Sequence, residues 1–94
     1  MENEVTLIIK KDIISLAGYD YGKEVYNTQL KNKIDLSKKF TIIIPSNIKF
    51  VASSFVQGLF YEIKNEIGLL ATEERTIIKS ENKMIKRKFM SNLG

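Results

Sequence analysis

The sequence predicts a small α/β domain of order β-α-β-α-β-α, with three to four mostly parallel strands packed with helices. Three observations predict it. Two short runs rich in β-branched residues, Val5-Thr6-Leu7-Ile8-Ile9 and Phe40-Thr41-Ile42-Ile43-Ile44, are separated by a stretch with helical spacing. A long amphipathic pattern follows from Ser54. Arg75-Thr76-Ile77-Ile78 then supplies a third strand before a terminal helix. Strands that alternate with helices favour a largely parallel sheet reached by right-handed crossovers. The 94 residues suffice for one modest core and so for one domain, residues 1–94. No linker, low-complexity tract or internal repeat divides them.

The first run ends at Lys10-Lys11-Asp12 and reads as a strand that continues irregularly through Ile13-Ile14. Gly18 breaks the pattern. Asp20 then reads as the N-cap of a helix that carries Val25, Tyr26, Leu30 and Ile34 near one face and ends in Lys31-Asn32-Lys33. Gly18 and Gly22 flank Tyr19-Asp20-Tyr21, a place where phosphate-binding loops occur in α/β proteins. Their spacing fits neither the Rossmann fingerprint nor the P-loop, so the reading is a tight turn. Residues 40–44 are nearly continuous in apolar side chains, the pattern of a strand covered on both faces and therefore of the central strand.

Pro45-Ser46-Asn47 is turn chemistry, and residues 48–51 form a short apolar link into Ser53-Ser54. Ser54 with Gln57 reads as a capping box, each side chain meeting the other's backbone N–H. Val56, Leu59, Phe60, Ile63 and Ile67 make one apolar stripe, which Gly68 stops. Residues 82–93 read as a terminal helix with Ile85, Phe89 and Leu93 on one face.

Composition narrows the chemistry. The chain has no cysteine and no histidine, so it lacks thiolate chemistry, the commonest general base and the commonest metal ligand. Glu62 and Glu66 lie one helical turn apart, but without a third ligand type they read as a solvated face, as do Glu73-Glu74 and Asp12. The expectation is a protein that is not an enzyme and has no catalytic, cofactor-binding or metal-binding residues. The acidic Met1-Glu2-Asn3-Glu4 start is unlike a secretory signal and no apolar run reaches bilayer length, which predicts a cytoplasmic, non-membrane protein. The net charge of +4 is concentrated: residues 1–78 hold 10 basic and 10 acidic side chains, residues 79–94 hold 5 and 1. The cations Lys83, Lys86, Arg87 and Lys88 form a basic patch on the terminal helix. It reads either as a phosphate-binding or acid-binding surface or, more plainly, as positive charge at a helix's negative C-terminal end.

With Val51-Ala52-Ser53-Ser54-Phe55 between an apolar link and an amphipathic helix, the chain resembles the STAS-like domains of bacteria and phages. These are related in shape to anti-sigma factor antagonists and to the cytoplasmic domain of sulfate transporters. In the antagonists the matching turn reads acid-Ser-Ser-Gly and a partner kinase phosphorylates a serine there, which by alignment falls on Ser54 with Ser53 beside it. Ala52 stands in place of the acid and Phe55 in place of the glycine; serine followed by phenylalanine suits the STAS-like branch. Ile44-Pro45-Ser46 stands where the family commonly has an aspartate. The resemblance implies a non-enzymatic regulatory module that binds a partner protein, of the histidine-kinase-like ATPase class, through Ser53, Ser54, Phe55 and the first turn of the helix. Tyr19 and Tyr21 would serve beside them as interface anchors. An alternative is a small phage or mobile-element inhibitor that binds a host defence or nucleic-acid-processing protein. A second, less favoured, is nucleic-acid binding through the basic terminal helix.

Overall fold

The computed structural model describes residues 3–94; Met1 and Glu2 of the acidic start lie outside the described residues. Its main sheet has three strands in the order β1 (Glu4–Thr6), β3 (Phe40–Ile43), β5 (Thr76–Lys79), and both pairings are parallel. A second, two-stranded parallel ribbon joins β2 (Ser15–Leu16) to β4 (Phe50–Val51). Helix α1 (Tyr19–Val25) runs on into a π-helical turn, Tyr26–Leu30. α2 spans Ser53–Arg75 and α3 spans Lys83–Ser91.

The residue run at 40–44 does mark the central strand, but only one face of it is fully buried. Phe40, Ile42 and Ile44 are buried, whereas Thr41 and Ile43 between them are half-buried. The topology explains the correction. The crossovers β1 to β3 and β3 to β5 step in the same direction, so two right-handed connections place α1 and α2 on the same face. The core therefore lies between one sheet face and the helices. Phe40, Ile42 and Ile78 come from the sheet, Phe55, Leu59, Phe60 and Ile63 from α2, and Ile85, Phe89 and Leu93 from the C-terminal segment. Each fully buried side chain of this kind contributes roughly 1.5–3 kcal/mol relative to its exposure to water.

Polar side chains complete the backbone where strands stop. β1 is shorter than its apolar run because the chain leaves the sheet after Leu7, whose N–H still donates to the Ile43 carbonyl at 2.9 Å. The next residue, Ile8, is served by a side chain: its N–H donates to Gln29 Oε1 at 2.7 Å, and its carbonyl accepts from Gln29 Nε2 at 3.0 Å. Asn3 brackets the segment before β3, donating to the Asp35 and Lys39 carbonyls and accepting from the Asp35 N–H. The Ser37 hydroxyl, at 2.6 Å, and then its N–H hold the Asp35 carboxyl below the usual carboxylate range. Asn47 Nδ2 donates to the Ile13 carbonyl at 2.8 Å and ties down the loop that was expected to prolong the first strand.

Helix boundaries bring further corrections. The N-cap of α1 is Gly18, at φ 102°, with Asp20 inside the first turn. Gly68 does interrupt α2, with φ 82° and ψ 165°, but helical turns resume after it and reach Arg75. At α3 the Asn82 side chain caps by accepting from the Met84 N–H at 2.9 Å.

Candidate functional site

The β2–β4 ribbon positions the serine turn. Its parallel register sets Leu16 beside Val51, so the chain delivers the starts of α1 and α2 side by side. The Ala52 N–H donates to the Leu16 carbonyl at 2.8 Å. One step further on, where β4 has already become helix, the Gly18 N–H donates to Ser54 Oγ at 3.1 Å. The serine hydroxyl thus takes the place of the next ladder acceptor and links the first residues of the two helices.

This overturns the capping box. α2 begins at Ser53 with Ala52 as N-cap and no side-chain capping bond. Gln57 turns elsewhere, donating from Nε2 to the Asn92 carbonyl at 2.6 Å and accepting from Lys64 Nζ at 3.1 Å. Tertiary partners have displaced the local one.

Beyond the Gly18–Ser54 bond the two helices approach to backbone contact. A Cβ at Gly58 would fall on the Tyr19 carbonyl oxygen and 2.9 Å from its carbon. One at Gly22 would fall on the Phe55 carbonyl oxygen and 2.7 Å from the Leu59 nitrogen. Gly22 is therefore a helix-crossing residue, where a tight turn was expected. The close crossing sorts the expected site residues. Ser53 and Ser54 are exposed, and Tyr19 keeps 39% of its surface. Phe55 is fully buried, packed on Tyr21 at 5.5 Å between ring centroids and edge-on to Phe89 at 6.3 Å. Phe55 is thus unavailable as a contact for a partner, and Tyr21 is half-buried against it.

Two residues not singled out from the sequence join this group, Tyr61 exposed and Lys23 half-buried. Tyr61, 44% exposed, meets Tyr19 edge-on at 6.1 Å, and Lys23 Nζ lies 5.6 Å and 5.0 Å from the two ring centroids. Tyr61 lies seven residues after Ser54, on the same side of α2 two turns on. An aromatic residue off the apolar stripe but in phase with the serine was the available signal. Ser53, Ser54, Tyr19 and Tyr61 are exposed along the paired helices' front edge, and Lys23 lies half-buried among them.

The basic patch divides. All four cations are exposed, but Lys83, Lys86 and Arg87 line a shallow hollow of about 370 Å³ with Met90, while Lys88 lines another with Lys49 and Phe50. Glu62 and Glu66 line a polar hollow with Tyr26. Burial first, and then these two carboxylates, raise the Tyr26 hydroxyl above its usual range. Among the described residues no three acidic side chains converge to hold a metal ion, and no helix is long and apolar enough to cross a membrane. No family model, curated protein or solved structure matches this chain.

Proposed function

We propose that this chain is a non-enzymatic, STAS-like regulatory module that binds a partner protein through Ser53, Ser54, Tyr19, Lys23 and Tyr61, with a histidine-kinase-like ATPase as the partner class. The observation that carries the reading is the 3.1 Å bond from the Gly18 N–H to Ser54 Oγ. A single exposed hydroxyl joins the starts of two helices, next to an exposed aromatic pair of the residue type that anchors interfaces. Phosphorylation would form a bond from Ser54 Oγ to the γ-phosphorus of the partner's ATP. The bond to ADP breaks and the hydroxyl proton passes to a base of the partner. The product places a dianionic, bulkier group on the docking face and releases the partner without unfolding the domain.

The test is a pull-down from the native host with the parent chain and the variants Ser54→Glu, Ser53→Glu and Ser54→Ala, each checked by circular dichroism for an unchanged fold. The parent and Ser54→Ala are expected to retain an ATPase partner that Ser54→Glu loses. Unchanged binding across both glutamate variants overturns the reading.

A further inference from the structure

We infer that the uncovered face of the main sheet is a self-association surface on which a second copy of this chain packs across a two-fold axis. Parallel sheets occur almost only with both faces covered. Here the helices cover one face, and the other presents Ile43 at its centre and Ile77, 41% exposed, at its edge. The strand register fixes the layout of that second face. One row reads Glu4, Thr41, Ile77 across the three strands, and the next reads Thr6, Ile43, Lys79. The Leu7 N–H makes the last ladder bond of this edge, and Ile8 just beyond it is 81% exposed. The face is therefore apolar or hydroxylated except at two opposite corners, one holding a carboxylate and the other an ammonium group.

That diagonal arrangement selects the occupant. A two-fold axis along the other diagonal, from Thr6 to Ile77, lays Glu4 of each copy over Lys79 of the other and brings the two Ile77 side chains together. No like charges meet. With strands about 4.8 Å apart and a rise of about 3.3 Å per residue, the strands of the two sheets then cross at roughly 70°, nearer the orthogonal than the aligned arrangement of packed sheets. This inference stands apart from the serine face, which belongs to the helical side of the molecule.

Sedimentation velocity of the full chain over a range of micromolar concentrations tests it. The parent is expected to pass from monomer to dimer, and Ile77→Lys to remain monomeric with an unchanged circular dichroism spectrum. Glu4→Lys and Lys79→Glu are each expected to weaken the dimer by about tenfold, and the double reversal to recover most of that loss, as expected for a directly coupled charge pair. A parent that stays monomeric throughout overturns the inference. So does a dimer that survives Ile77→Lys, because its interface then lies elsewhere, for instance at the exposed Leu69 and Leu70.

Discussion

Gly22 and Gly58 sit where α1 and α2 press backbone against backbone, whereas Gly68, ten residues along α2 from Gly58, has no foreign atom within 4 Å of where a Cβ would stand. The first pair has helical backbone and needs only the missing side chain. Gly68 has all the room it could use and needs the conformation, φ 82° with ψ 165°, that glycine alone adopts readily. The two regions of α2 differ accordingly. Before the break, Phe55, Val56, Leu59, Phe60 and Ile63 are fully buried and α2 is the spine of the core. After it, Leu69 and Leu70 face water and Thr72 is the buried residue, its hydroxyl donating to the Gly68 carbonyl at 2.7 Å. One residue type thus answers two physical demands, close approach and backbone reversal, and substitution by alanine separates them.

The largest effect is expected at the crossing. On a helix surface with room, Gly→Ala stabilises by about 1 kcal/mol through helix propensity. Gly58→Ala is expected to do the reverse, at about 3 kcal/mol or more, because the obstructing atoms belong to the Tyr19 backbone and cannot rotate away. Thermal unfolding should show Tm falling by roughly 10 °C or more, with Gly22→Ala close behind. A stabilised Gly58→Ala variant would mean that the helices cross further apart. Gly68→Ala meets no obstruction, and its expected loss is about 1–3 kcal/mol from backbone strain alone. Urea unfolding checks this, and a stabilised variant whose helical signal rises would show that α2 prefers to run straight through the break.

How much of this could be read in advance depended on the range of the interactions. The stripe Val56, Leu59, Phe60, Ile63 was legible because helical periodicity lies within one segment, and these four side chains are all buried. The ribbon was not legible: β2 and β4 have two residues each, Ser15 and Phe50 face water, and their pairing joins segments 35 residues apart. Ser54 was legible as a residue but not in its bond. Gln57 satisfied the local capping rule, yet the Gly18 N–H takes the hydroxyl across 36 residues and Asn92 takes Gln57 across 35. The tyrosines separated for a similar reason. Once residues 19–25 form a helix, Tyr19 turns toward Tyr61 and Tyr21 toward Phe55, a distinction that a loop would not impose.

The smallest expected effect appears only in alkali and reads the packed side of the comparison. Tyr26, on the π-helical turn that prolongs α1, is buried and shares a hollow with Glu62 and Glu66, both of which precede the Gly68 break. Burial and then the two carboxylates raise its hydroxyl above the ordinary value of 10.0. Above that pH the unfolded chain releases the proton while the folded chain still holds it, so the unfolded state gains relative to the folded one. The contribution of this group is therefore fully present below pH 10 and is lost as pH rises through the folded-state value. Tyr26→Phe removes the titration and leaves the ring. Urea unfolding of parent and variant at a series of alkaline pH values is expected to show the parent losing stability more steeply. Parallel curves would mean that water reaches the hydroxyl freely, and that α2 packs against the end of α1 more loosely here than at the glycines.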